Sequence, residues 1–421
     1  MKAALTIALL VMASFAAHGQ DASEAVRLES LLSRPSLLDG EGGPKQALRA
    51  RGITVDFSLT QVYQGLVSGD GDKSWQYGGK ADAYATFDGA KLGLWKGFYV
   101  SLHQEWQYGE DANAQGAGVL LPVDTALGLP RLGGHDHDTS LLFTQYFSEQ
   151  ASLTVGKFNM MDVLSKTPIL GGGGVDTFMN MGLALPVTGI TPPYVLGASL
   201  TLKTEPAIFN VFVYDPRNAQ DWDVIQSPFS DGTTVLASVT VPVKIAGLSG
   251  FQGLKVIVGN QEGYDLRDAP QLLLPPQAQG AIGTKDDRWF ASYSFQQYLY
   301  QDPANPSQGW GLFGQISVSD GNPNVIEASG LIGIGGTSFL PGRSLDRWGV
   351  AYFRYNVSDD LKAGLNALGL NLAGDEQGVE AYYNLALTPW YRVTADIQYI
   401  DTVRNDRDDA VFLGLRSQVK F

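Results

Sequence analysis

From residue 52 to Phe421 the dominant period of the chain is two, and this constrains the fold more than any single motif. Ile53, Val55, Phe57 and Leu59 alternate with Thr54, Asp56, Ser58 and Thr60. Phe98, Val100, Leu102, Trp106 and Tyr108 share one parity; Tyr99, Ser101, His103, Glu105 and Gln107 share the other. The same pattern returns at Val235–Val241, Trp289–Gln296, Tyr391–Tyr399 and Val411–Phe421. A chain with this pattern is built of half-buried strands.

Alternation has two readings. In a soluble sandwich or barrel the apolar face turns inward to a core. In an outer-membrane barrel it turns outward to lipid, and the polar face lines the lumen. Three features favour the second. Full charges sit in mid-strand on the polar parity (Asp56, Glu105, Arg392, Asp396, Arg416). Aromatics collect at strand ends, as Trp289 with Phe290, Trp310, Trp348, Trp390 with Tyr391, and Phe421, where interfacial girdles belong. The chain also ends on a strand whose last residue is aromatic. The fold class expected is therefore all-β: a transmembrane antiparallel β-barrel of roughly sixteen strands, each about ten residues long, preceded by a short helical segment.

Residues 1–20 read as a signal peptide, with Lys2, an apolar stretch from Ala3 to Phe15 and small residues at Ala17-His18-Gly19. Residues 21–50 form an N-terminal helical segment, periplasmic or a plug, and 51–421 the barrel. Within the segment a helix is expected over 22–38, capped by Ser23, with Leu28, Leu31 and Leu32 on one face and Pro35 limiting it. Thr177–Leu202 carries no charge, but Pro186, Pro192 and Pro193 bar it from being a spanning helix. Long irregular stretches lie at Ala112–Asp138, Asn159–Tyr194 and Glu262–Asp287, either covering the outer mouth or folding inward. Gly171–Gly174 is a hinge for such a fold-in or a surface tip.

The chain has no Cys, which removes disulfides, thiolate catalysis and Cys-ligated zinc. Its formal charge of −14 argues against nucleic acid as a partner.

Several stretches resemble the carbohydrate-selective porins of Gram-negative outer membranes, the OprB type. They are Arg51-Gly52-Ile53-Thr54-Val55-Asp56 leading into Gln61-Val62-Tyr63-Gln64-Gly65; Val155-Gly156-Lys157-Phe158-Asn159; Ala381-Tyr382-Tyr383-Asn384; Leu387-Thr388-Pro389-Trp390; and Asp396-Ile397-Gln398-Tyr399-Ile400. The resemblance implies a sixteen-stranded barrel passing sugars such as glucose by facilitated diffusion, narrowed by inward loops. Where the family pattern leads one to expect Asn-Pro after the last stretch, this chain reads Asp401-Thr402-Val403-Arg404-Asn405-Asp406, so the loop there is altered.

A sugar channel needs polar side chains that replace water around hydroxyls and flat rings for the CH faces of the sugar. Glu105, Arg392, Asp396 and Arg416 qualify on the polar parity, followed by Lys157, Arg354 and Tyr99. Trp75, Trp222 and Phe178 lie in loop regions that can reach inward. The competing reading of these charges is that they brace the wall as ion pairs.

His135-Asp136-His137-Asp138 has metal-like composition but reads as a polar turn, so no metal site is assigned. Ser101 and His103 share a strand face without forming a triad, no Gly-x-Ser-x-Gly frames any Ser, and Gly171–Gly174 lacks the Lys-Ser/Thr of a phosphate loop. The expectation is a passive, cofactor-free porin for small sugars, not an enzyme. Its other partners would be outer-membrane lipid, lipopolysaccharide and, through the C-terminal strand, the barrel-assembly machinery. The alternatives are a porin for another small solute and a secreted all-β carbohydrate-binding module.

Overall fold

Sixteen strands close into one antiparallel barrel in which each strand pairs with its neighbours in sequence. The computed structural model describes residues 31–40, 42–128, 131, 134–164, 175–184 and 191–421. The strands are β1 (Ile53–Ser68), β2 (Trp75–Asp88), β3 (Phe98–Gly109), β4 (His137–Tyr146), β5 (Ala151–Asn159), β6 (Tyr194–Lys203), β7 (Ile208–Tyr214) and β8 (Thr234–Ile245). They continue as β9 (Leu248–Gly259), β10 (Arg288–Gln301), β11 (Gly309–Ser319), β12 (Ile326–Thr337), β13 (Arg347–Val357), β14 (Glu376–Ala386), β15 (Tyr391–Asp401) and β16 (Ala410–Lys420). β1 and β16 close the ring over the register Ser58↔Lys420 to Leu66↔Phe412. Closure is what lipid demands: an open edge would leave backbone N–H and C=O groups unpaired in hydrocarbon.

The alternation predicted from sequence is realised with its apolar face outward. Phe143, Val155, Val211, Val256, Ile316, Ile332 and Leu415 are all exposed on the outer surface, while the opposite parity (Thr60, His103, Glu105, Thr394, Arg416) is buried inside. The soluble binding-module reading therefore falls, because the apolar face covers no core. Aromatics collect at both ends of the band. Trp75 stacks on Tyr63 at 4.9 Å at one end; at the other, Phe339 meets Trp348 edge-on at 5.7 Å and Trp95 stacks on Phe98 at 4.6 Å. Phe290 is an exception to the expected girdle. It points inward, 2% exposed, and packs on Ile257 and Leu236.

Connections at one barrel end are short. The tightest is Ala246-Gly247, whose φ angles of 51° and 82° are the positive pair that a two-residue hairpin turn requires. At the other end run the long connections, residues 110–136, 160–193, 215–233, 260–287 and 358–375. The short-turn end, where β1 begins and β16 finishes, is the periplasmic one by the general rule for these barrels.

Beside β1 lies helix α1 (Pro44–Ala50), with Pro at its start, where a missing N–H costs nothing. Residues 22–30 of the expected 22–38 helix, like 1–20 and Gly171–Gly174, lie outside the described residues; residues 31–33 are helical. The segment crosses the β1–β16 seam. Lys45, 5% exposed, donates to Ser36 Oγ (3.0 Å), Asp56 Oδ1 (2.7 Å) and the Phe421 carbonyl (2.8 Å). The Leu37 N–H donates to the Lys420 carbonyl at 2.8 Å, and Trp390 Nε1 to the Leu31 carbonyl at 2.8 Å.

Candidate functional site

The described parts of two of the long connections fold into the lumen. Residues 110–136 carry the one-turn helix α2 (Thr125–Gly128); residues 160–193 carry α3 (Met160–Leu164) and α4 (Met181–Ala184). They bind each other first. The Thr125 N–H and Oγ1 both donate to the Met179 carbonyl, at 2.8 and 2.7 Å, and the Met181 N–H donates to the Pro122 carbonyl at 2.9 Å.

Irregular backbone held away from water must find partners on the wall. Inward side chains of the strands supply them. Gln398 Nε2 donates to the Val123 carbonyl (2.8 Å), Gln107 Nε2 to Ala126 (2.8 Å), Arg416 Nη2 to Thr177 (2.7 Å) and Tyr355 Oη to Gly182 (2.6 Å). Glu380 accepts the N–H groups of Met179 and, at 2.9 Å, Asn180. Around these bonds an apolar cluster forms. Phe178, 1% exposed, stands edge-on to Tyr382 (4.8 Å) and Phe313 (5.8 Å), beside Val123, Leu183 and Phe353. Phe178 thus reaches inward, as its position allowed, but as a packing anchor on the β11–β14 side.

The wall made by β2–β6 is lined with charge instead. Register places Asp82 opposite Glu105, and Glu105 opposite Asp138, all on the inward face. Like charges directly opposite across a sheet repel, so cations interleave. Lys80 bridges Asp82 (3.2 Å) and Glu105, and Lys157 takes Asp138 at 2.6 Å. His103 lies between Asp82 (3.0 Å) and Asp162 (2.8 Å), with Tyr84 stacked on its ring at 3.9 Å. Glu105 also accepts from Asn159 Nδ2 (2.7 Å) and Tyr194 Oη (2.8 Å). Asp82, His103 and Glu105 come close enough to share a metal ion, but the Lys80 ammonium already spans the two carboxylates. The donor set is that of an ion-pair network.

On the other side of β1, β13–β16 present Arg347, Arg392, Arg416 and Lys420 to the lumen, with Asp176 of the second inward loop within electrostatic reach of all four; Lys420 and Asp82 flank Ser58 in one register row. Arg392 Nη1 donates to Asn384 Oδ1 at 3.0 Å. Over β1, where these two stretches of wall adjoin, lies a cavity of about 400 Å³. Lys80, Asp82, Tyr84 and Asp162 line one side, Asp176, Gln418 and Lys420 the other, and Pro35, Ser36 and Asp39 the N-terminal side.

The candidates from sequence separate accordingly. Glu105 and Lys157 stand on the first wall, and Arg392, Asp396 and Arg416 on the second. Tyr99 sits near the short-turn end, edge-on to Tyr146 at 5.7 Å. Three candidates lie elsewhere. Arg354 is on the outer face of β13, bound to Asp375 at 3.0 Å, because it shares parity with the exposed Val350 and Tyr352. Trp75 opens β2 on the outward parity and belongs to the girdle. Trp222 begins α5 (Trp222–Gln226) in the connection 215–233 and is 66% exposed. His135-Asp136-His137-Asp138 is pulled apart: Asp136 binds Arg131, His137 is exposed, and Asp138 points inward to Lys157. Lys80, Asp82, Asp162 and Tyr194 were missed as site residues. For Lys80 and Asp82 the signal was present, since both occupy one parity of β2 (Trp75–Asp88).

A closed barrel with an apolar outer band and a lumen narrowed by two inward loops between charged walls is an outer-membrane porin. A family description, carbohydrate-selective porin of the OprB family, matches residues 72–421. The chain belongs to that family. Porin B of Pseudomonas aeruginosa is 27% identical over 154 residues, which cover 33% of this chain and 33% of that protein, so the match spans a third of that curated relative's length. Among solved structures, the high-pH structure of Pseudomonas putida OprB is similar with a TM-score of 0.78 at 20% identity, covering 92% of this chain and 99% of that one. The low-pH structure gives 0.54 at 14% identity over the same shares. A loop L8 deletion mutant of OmpT from Vibrio cholerae gives 0.50 at 13% identity, covering 88% and 100%.

Proposed function

We propose that this porin passes small neutral sugars, glucose-like in size, passively through the space between the two charged walls. The observation that carries this reading is the cavity of about 400 Å³ ringed by Lys80, Asp82, Tyr84 and Asp162, which offers donors, acceptors and a ring face together. A space of this size suits a single small ligand. The polar groups are already paired with one another, so a hydroxyl competes for bonds instead of filling an empty charge, and such contacts are weak enough to release solute.

The chain acts as a channel, and no catalytic step is assigned to any residue. Residues 31–50 narrow the periplasmic exit without sealing it, since Pro35, Ser36 and Asp39 border the cavity. The outer band meets lipid and lipopolysaccharide, and the strand ending at Phe421 is the handle for the barrel-assembly machinery.

The test is planar-bilayer conductance of the detergent-purified full chain, titrated with glucose and a panel of other sugars. Stepwise channels blocked by glucose at millimolar levels are expected. Channels indifferent to every sugar would overturn the substrate class while leaving the porin.

A further inference from the structure

We propose that a second sugar subsite lies on the periplasmic side of the first, around Tyr99 and Tyr146, and that the two together take a neutral disaccharide. It rests on the reading of the lumen as a sugar path and adds a second point of contact along it.

Strand parity turns the residues inward. Thr86 shares the parity of Asp82 and Tyr84 on β2, and Tyr99 and Ser101 that of His103 and Glu105 on β3. Thr144 and Tyr146 share the parity of Asp138 and Ser140 on β4. Register then gathers them: Thr86 stands opposite Ser101, and Tyr99 opposite Thr144. All five line a cavity of about 910 Å³ at the short-turn end of the barrel. The 400 Å³ cavity is its neighbour along β2. Tyr84 lines the first and Thr86 the second, two residues apart on one face, a step of about 7 Å. One ligand with two ring units can touch both.

The two linings differ in what they leave unbound. In the first cavity Lys80, Asp82 and Asp162 are tied into ion pairs. In the second, the hydroxyls of Thr86, Tyr99 and Ser101 bond to no described residue. Each can donate to one sugar hydroxyl and accept from another. The Tyr99 and Tyr146 rings meet at 86° with centroids 5.7 Å apart, and Tyr146 is 47% exposed. They make an apolar corner on which the CH face of a sugar ring lies flat while its hydroxyls reach Thr86 and Ser101. The charged residues that line this cavity, Lys96 and Glu149, are of opposite sign, which favours a neutral ligand over an ion.

The test is single-channel block of the full chain by glucose and by maltose, two linked glucose units, each added on both sides. In the wild type maltose is expected to half-block at a concentration several-fold below that of glucose. In Tyr99→Ala the maltose-to-glucose ratio of half-blocking concentrations should rise about fivefold, while in Tyr99→Phe, which keeps the ring, it should stay within about twofold of wild type. Thr86→Val removes a hydroxyl and keeps the side chain's shape, and it should raise the ratio as well. Block by glucose is set by the first cavity and should persist in all three variants, which shows the barrel intact. Maltose no tighter than glucose in the wild type, or a ratio unmoved in both Tyr99→Ala and Thr86→Val, overturns the second subsite alone. No block by either sugar overturns the sugar path as well.

Discussion

The Tyr194 hydroxyl donates to Glu105 at 2.8 Å, and Tyr194 is the residue at which the second inward loop returns to the barrel. Asn159, paired with Tyr194 in register at the start of that loop, donates to the same carboxylate at 2.7 Å. One side chain on β3 therefore clasps both stems of the segment that narrows the lumen. Lys80 balances its charge from the neighbouring strand.

Glu105→Ala should change sugar flux severalfold while leaving the barrel folded. It leaves Lys80 with Asp82 alone and strands Asn159 Nδ2 and the Tyr194 hydroxyl in a buried site, each unmade bond costing about 1–3 kcal/mol. The sixteen-strand hydrogen-bond ladder does not depend on it. Liposome swelling with glucose, beside a heat-modifiability gel for the barrel, reads both; unchanged flux removes Glu105 from the path.

Arg392→Ala is expected to alter sugar flux too. Among the described residues its hydrogen-bond partner is Asn384, and its register neighbours are Ala386 and Gln418, so the wall loses charge without losing packing. A variant with wild-type flux would confine Arg392 to bracing the barrel.

Phe178→Ala should loosen the roof of the β11–β14 wall. The ring fills the gap between Phe313 and Tyr382, and truncating a buried Phe costs about 3–5 kcal/mol. Strand pairing is unaffected, so the loss falls on the loop. Single-channel conductance should rise and become noisier, and hydrogen exchange over residues 175–184 should quicken while that of β13–β16 does not.

Lys45→Met should free the N-terminal segment. The ammonium is the common donor to Ser36, Asp56 and Phe421, joining segment, first strand and last. Faster proteolysis within residues 31–50 and a larger open-channel conductance are the expected pair of changes. Conductance identical to wild type would show that the segment does not narrow the exit.

The outer loops carry an acid-sensitive clasp. Asn322 donates to Asp265 and Asp360, both at 2.8 Å, and Arg267 donates to Asp360 at 2.6 Å. These bonds, the Asn322 amide first, hold both carboxyls below their ordinary value of 3.8. A depressed carboxyl stabilises the fold above its unfolded value and ceases to as pH falls through the folded one. The clasp should thus be constant from neutral pH down to about 4 and open below it. Hydrogen exchange of residues 265–268 and 359–362 against pH checks this, and Asn322→Ala should show open-clasp rates at neutral pH.

Much of this molecule follows from local chemistry. A pleated strand sends neighbouring side chains to opposite faces whatever it pairs with, so the alternation at Phe98–Tyr108 or Tyr391–Tyr399 already separated lipid face from lumen face. The charges at Glu105, Arg392 and Arg416 marked the wet side for the same reason. Arg354 and Trp75 were legible too: each shares the parity of exposed apolar neighbours, and following the period through would have placed them outside. Other features belong to the tertiary structure alone. Register between strands decides that Asp82, Glu105 and Asp138 stand side by side and must be interleaved with Lys80 and Lys157. Loop backbone carries no period, so nothing local announced that Val123 and Thr177 would be bound by Gln398 and Arg416. Those contacts join residues hundreds of positions apart, and only closure of the barrel brings them within hydrogen-bond reach.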